Sequence, residues 1–169
     1  MRMDRRRELT AAEIINNYPA EELADIFYYL GEERQSRRIA AEIVKQRKKE
    51  RISSTEKLAS VIAMAVPRKF HPKKIHVATK VFQALRIAVN KELDNLVAIL
   101  DSVADFLNPG SKICIISFHS LEDRIIKRKF RENHLLQVLT KKPVVPDKDE
   151  RGRNPRARSA KLRVAALGL

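Results

Sequence analysis

The chain is poor in glycine, nearly free of cysteine, has no tryptophan, and carries too few acids to balance its bases. Its four glycines, Gly31, Gly110, Gly152 and Gly168, are too far apart to build a loop that cradles a phosphate or nucleotide on backbone N–H groups. The single Cys114 excludes a disulfide framework and a cysteine metal cluster within one chain, so no metal site is expected. No apolar run approaches the roughly 20 residues of a spanning helix, and no hydrophobic region follows the N-terminal arginines. These absences point to a cytoplasmic protein, or one of an organellar matrix, with no membrane partner. What is abundant is positive charge: 35 Lys and Arg against 21 Asp and Glu, a formal net charge of +14. Such a balance favours a polyanionic partner, nucleic acid ahead of an anionic membrane surface.

At 169 residues and 44% hydrophobic content the chain can bury a modest core. Residues from Leu9 to Val66 read as successive helices. Thr10 with Glu13 forms a capping box, and Pro19 suits the first turn of the next helix, whose Leu23, Ile26, Phe27 and Leu30 recur at helical spacing before Gly31. A third helix turns Ile39, Ala40, Ile43 and Val44 inward, with Arg34, Arg38, Lys45 and Lys49 on its other side. Ser54 opens a fourth over Leu58, Val61, Ile62 and Ala65, which Pro67 ends. Arg68 to Lys74 reads as an exposed loop. From Val77 a single long apolar stripe runs through Val81, Leu85, Ala88, Leu93, Leu96, Leu100, Val103 and Leu107 to Pro109-Gly110. Thr79, Gln83, Arg86 and Asn90 line another face of it, ordinarily a solvated one.

Ile113-Cys114-Ile115-Ile116 is an apolar strand without alternation, the pattern of a central strand buried on both faces of an α/β sheet, with Cys114 a packed core thiol. Ser117 to Ser120 then turn into a basic helix, with Ser120 as N-cap and Asp123 closing the capping box. Leu135 to Leu139 and Leu162 to Leu167 are further short strands. Two or three strands cannot bury both faces of the first, so an incomplete sheet is expected. In open α/β sheets ligands bind at the carboxyl ends of strands, which makes Ser117, Phe118, His119 and Ser120 candidates for chemistry. Spacing alone equally allows two turn-forming serines, a satisfied histidine and a core phenylalanine. Two basic groups, Arg124 to Arg131 and Arg151 to Arg163, are dense enough to suggest a phosphate-binding surface.

The segment Ser117-Phe118-His119-Ser120-Leu121-Glu122-Asp123-Arg124 with Lys127-Arg128 resembles the signature of the small-subunit ribosomal RNA methyltransferase H family. Gly31-Glu32-Glu33-Arg34 with Arg38-Ile39-Ala40 resembles the family's middle region. So do His76, Ala78-Thr79-Lys80, the run Phe82 to Ile87, and Val89-Asn90. Asn154 to Arg163 resembles its C-terminal signature. Departures are mild: Val77 stands where Pro is common, Lys80 where Arg is frequent, and Ser111 where a second Gly follows Gly110.

The resemblance implies an α/β fold, the C-terminal half of a Rossmann-like S-adenosylmethionine-dependent methyltransferase with an inserted all-helical domain. Residues 1–8 would be a remnant of the upstream methyltransferase segment, 9–74 the helical substrate-recognition insert, and 75–169 the second half of the catalytic domain. It implies transfer of a methyl group from S-adenosylmethionine to a cytidine N4 of small-subunit ribosomal RNA, with the ribosomal subunit as partner. The family's cofactor motifs lie upstream of the matching region. No cofactor-binding residue is therefore expected in this chain, which would be inactive alone and would need a separate N-terminal half or self-association. The alternative is a non-catalytic basic RNA-binding or ribosome-assembly protein of the same descent. A methylase must hold its base unstacked near the cofactor. Phe118 is the aromatic at the strand's carboxyl edge, and a histidine such as His119 exchanges protons near neutral pH. The RNA-binding candidates are Arg86, Asn90, Arg124, Lys127, Arg128, Asn154, Arg156, Arg158 and Lys161.

Overall fold

The computed structural model describes residues 1–4 and 6–168. They divide into two compact units, Met1–Glu92 and the chain from Leu93 onward. The first is helical: α1 (Ala11–Asn17), α2 (Ala20–Asp25) continued by a π-helical turn (Ile26–Leu30), α3 (Ser36–Arg47), α4 (Thr55–Ala65) and α5 (Thr79–Asn90). Its start is set as the sequence indicates. Thr10 Oγ1 accepts from the Glu13 N–H, while the Glu13 carboxylate accepts from the Thr10 N–H. Ser54 caps α4 through its Oγ, which accepts from the Lys57 N–H. The inward faces bring Ile14, Ile15, Leu23, Phe27, Ile39, Ile43, Ile62 and Leu85 into one core. Each such side chain contributes about 1.5 to 3 kcal/mol of burial.

Gly31 is required by a close approach. A Cβ there would lie 2.6 Å from the Lys80 carbonyl oxygen and 2.7 Å from that of Phe27, so the turn after the π-helical segment sits against α5 with no room for a side chain.

The stripe from Val77 to Leu107 is not one helix. It breaks at Lys91, which is left-handed (φ 52°, ψ 41°), and α6 (Glu92–Ser102) begins anew. The cause lies in the flanking side chains. Asn90 Oδ1 accepts from the Met3 N–H at 2.8 Å, and its Nδ2 donates to the Met1 carbonyl at 3.0 Å. Arg86 clamps Glu92 with Nε at 2.8 Å and Nη2 at 2.9 Å. Val77, Ala78, Val81, Ala84, Leu85 and Val89 pack in the helical core, within the unit Met1–Glu92.

The second unit is α/β. Its three strands, β1 (Lys112–Ser117), β2 (Leu136–Val138) and β3 (Lys161–Leu167), form an antiparallel sheet of order β1-β3-β2. Lys112 pairs with Ala166 and Ser117 with Lys161. Helix α7 (Ser120–Glu132) packs Ile126 and Phe130 with Leu100, Leu136 and Ala165, and α8 (Lys148–Arg153) precedes a short turn, Pro155–Ser159. Among the described residues β1 pairs only with β3, so it is an edge and not a central strand. Its alternate residues are uncovered: Ile116 is 58% exposed, and Cys114 is exposed instead of packed in a core. The apolar run Ile113 to Ile116 therefore exceeds what this three-stranded sheet buries. No described helix is long and apolar enough to cross a membrane.

Candidate active site and nucleic-acid interface

The turn from β1 into α7 is built by a capping box one residue earlier than Ser120 and Asp123 suggest. His119 is the N-cap, in extended backbone, and its Nδ1 accepts from the Glu122 N–H at 3.4 Å. Glu122 returns its carboxylate to the N–H groups of Phe118 at 2.9 Å and His119 at 3.3 Å. An imidazole can cap as a hydroxyl does once one ring nitrogen is bare, which the usual Ser and Thr preference hides in a sequence. Burial pushes the Glu122 carboxyl up, but the adjacent His119 ring and the Phe118 N–H outweigh it and hold it below its ordinary value.

The box fixes the candidate residues. The Ser117 side chain is buried against β3, its Oγ 3.4 Å from the Lys161 carbonyl oxygen, which gives it a bracing position. Phe118 is 55% exposed, so it is not a core aromatic. The His119 side chain is 9% exposed, and its Nε2 lies 3.2 Å from Glu122 Oε1 without the alignment of a hydrogen bond. Among the described residues that nitrogen alone is a buried side-chain polar atom left without a hydrogen bond. An exposed phenylalanine and a buried histidine whose Nε2 faces the Glu122 carboxylate thus follow one another at the carboxyl end of β1.

Asp123 has a different task from capping. Its carboxylate takes Arg163 Nε at 2.6 Å and Nη2 at 3.3 Å, with Lys161 Nζ at 3.3 Å. Burial raises this carboxyl, but the Arg163 and Lys161 contacts hold it below its ordinary value. The triad ties α7 to β3. Its signal in the sequence is the two-residue spacing of Lys161 and Arg163, which places both on one face of a strand.

Of the proposed RNA contacts, Lys127 and Arg128 lie exposed on α7, Arg128 3.7 Å from Glu132, and Arg124 is exposed on the same helix. Asn154, Arg156 and Arg158 are exposed at and after the end of α8. Lys161 belongs to the Asp123 cluster. In the helical unit, Arg86 pairs with Glu92 and Asn90 is buried on the N-terminal backbone. Two of the nine candidates are thus in the first unit and seven in the second.

The Phe118, His119 and Glu122 N–H groups at the start of α7 are taken by the capping box. The glycines serve elsewhere: Gly31 against α5, Gly110 in a left-handed turn at φ 77°, Gly152 within α8 and Gly168 after β3.

Comparison with known proteins gives a consistent picture. The model of the MraW methylase family matches residues 1–167. The chain is 64% identical over 165 residues to the ribosomal RNA small subunit methyltransferase H of Desulfotalea psychrophila, covering 98% of this chain and 56% of that protein. It is 57% identical to the protein of that name from Gloeothece citriformis, over 98% of this chain and 54% of the relative. The corresponding figures for Rippkaea orientalis are 54% identity, 100% and 55%. The chain therefore spans about half the length of the curated relatives it matches.

Proposed function

Because the chain belongs to the MraW methylase family, we propose that it contributes the RNA-facing part of a methyltransferase acting on a cytidine N4 of small-subunit ribosomal RNA. The methyl donor in this reading is S-adenosylmethionine, which supplies an electrophilic methyl group when bound. In this reading the donor is held together with a separate N-terminal half or a second copy of this chain. Residues 9–74 act as the helical insert that recognises RNA, and 75–169 as the C-terminal half of the methyltransferase domain. A ribosomal RNA substrate goes with a location in the cytoplasm or an organellar matrix.

The observation that supports this reading most directly is the exposed ring of Phe118 at the carboxyl end of β1, in the turn that His119 caps. An unstacked base rests on the ring, and the His119–Glu122 capping box fixes the turn that presents it. Exposed Arg124, Lys127 and Arg128 on α7, with Asn154, Arg156 and Arg158 after α8, hold phosphates and supply the sequence-independent share of affinity.

The exposed basic residues of α7 and of the segment after α8 suit a second reading as well, a non-catalytic RNA-binding or assembly protein. One experiment separates the two. The chain is incubated with small-subunit ribosomal RNA and labelled S-adenosylmethionine, alone and with the N-terminal half of the Desulfotalea psychrophila relative in trans, and nucleosides are analysed for N4-methylcytidine. Binding of RNA by the chain alone, with methylation only when the other half is present, is the expected result. Binding without methylation under any condition supports the assembly reading, and absence of RNA binding sinks both.

A further inference from the structure

We propose that Tyr28, Tyr29, Arg34, Arg37 and Arg38 form a site on the helical unit for an unpaired stretch of RNA, bases on the tyrosines and phosphates on the arginines. The proposal rests on the RNA reading above and adds a contact that none of the candidate residues includes.

The site follows from a local irregularity. Helix α2 passes into the π-helical turn Ile26–Leu30, and such turns are rare and concentrate at functional positions. Phe27 remains buried, while the consecutive Tyr28 and Tyr29 are 54% and 64% exposed. Their rings meet edge to face, centroids 5.1 Å apart and planes at 85°. A soluble helix gains nothing in stability by presenting two neighbouring rings to water, but each ring offers a face on which a base can stack.

The chain then turns back sharply. Gly31 sits against the Lys80 and Phe27 carbonyls, Glu32 is left-handed at φ 49°, and Lys80 Nζ donates to the Glu32 carbonyl at 2.9 Å. Helix α3 starts at Ser36, anchored by buried Ile39 and Ala40, so Arg34, Arg37 and Arg38 are delivered from a fixed element beside the tyrosines. Together they line an open hollow of about 560 Å³ whose one acid is Asp25. Glu21 and Asp25 border Arg37 from the α2 side, and neither comes within ion-pairing distance of it. No described residue makes an ion pair or hydrogen bond with these three exposed guanidiniums.

Planar donors of this kind match phosphate oxygens two at a time. An acidic peptide would satisfy the arginines and leave both rings unused. Duplex RNA keeps its bases stacked inside, so only an unpaired segment uses rings and guanidiniums together.

The test uses the whole chain, which holds three tyrosines and no tryptophan. In the Tyr18→Phe variant, intrinsic fluorescence reports on Tyr28 and Tyr29 alone. Short single-stranded RNA should quench that signal saturably, and a duplex of equal length should quench it far less. Tyr28→Ala with Tyr29→Ala should weaken single-strand binding by about 10- to 100-fold with an unchanged circular dichroism spectrum. Changing the three arginines to Gln should lower the slope of log affinity against log salt by about 2. If the tyrosine double variant fails to fold, the quenching and the arginine variant decide. RNA binding without quenching, and with unchanged affinity in the variants, overturns this site and leaves the RNA reading standing. No binding of any RNA overturns both. Polyglutamate that quenches and competes as well as RNA overturns the assignment to RNA in favour of an acidic protein partner.

Discussion

Asp123→Asn is the sharpest test of how the signature helix is held. In the structure the Asp123 carboxylate, 14% exposed, bonds Arg163, 6% exposed, through two nitrogens, and Lys161 stands at 3.3 Å. The amide keeps the shape and removes the charge, which leaves the buried guanidinium without its anion. Breaking one partner of a buried pair costs about 3 to 5 kcal/mol. At about 2 to 4 °C per kcal/mol for a chain of this size, the midpoint should fall by on the order of 10 °C. The pH dependence gives a second check. The folded-state carboxyl is held below its ordinary value, so its contribution is complete above the unfolded value, near pH 4, and is lost as pH falls through the lower folded one. Wild type and variant should therefore differ at pH 7 and converge in strong acid. Urea unfolding with hydrogen exchange at the β3 amides measures both. A variant within about 1 kcal/mol of wild type at pH 7 would refute the argument, because it would mean Arg163 finds water or another anion. Replacing Asp123 and Arg163 together by Leu should recover much of the loss, since no charge is then stranded.

Gly31→Ala should destabilise the helical unit by about 1 to 3 kcal/mol, read from urea unfolding, because the added methyl meets two backbone carbonyls that belong to packed helices. Glu122→Gln should loosen the start of α7 by about 1 kcal/mol at neutral pH, with amide exchange at Phe118 and His119 rising first. Since this carboxyl too is held low, that difference should fade as pH drops below the ordinary carboxylate range. Arg156→Ala with Arg158→Ala should leave the melting curve in place, both side chains being exposed, and lower the salt slope of RNA binding by about 1.4 to 1.8. An unchanged slope in the folded double variant would shift the phosphate contacts to the exposed basic face of α7.

Much of the helical unit was legible because its signals are local. Thr10 with Glu13, Ser54, Pro19 and Pro67 act within one turn of where they stand, and the spacing of Leu23, Phe27, Ile39 and Ile43 needs only a helix to place them on one face. The strands after residue 110 were legible for the same reason, as was the basic surface, which follows from charge density. The family follows from order and identity of residues, and the match over 1–167 carries it.

The tertiary structure alone decided the rest, and each case turns on a partner distant in sequence. The break at Lys91 depends on Asn90 reaching the backbone of Met1 and Met3, which no window around residue 91 contains. Asp123 is read as a cap locally and becomes the counter-ion of Arg163 only when β3 is laid beside α7, 40 residues later in the chain. Ile113 to Ile116 read as a central strand from composition, whereas pairing, which is non-local, made β1 an edge with Cys114 and Ile116 uncovered. No local signal sets Tyr28 and Tyr29 apart from their helical neighbours. A π-helical turn, packed through Gly31 against α5, set both rings outward beside three arginines. Local pattern specifies which faces are apolar and where elements begin; which charges meet, which edges pair and which rings stay exposed are settled by packing between segments far apart in the chain.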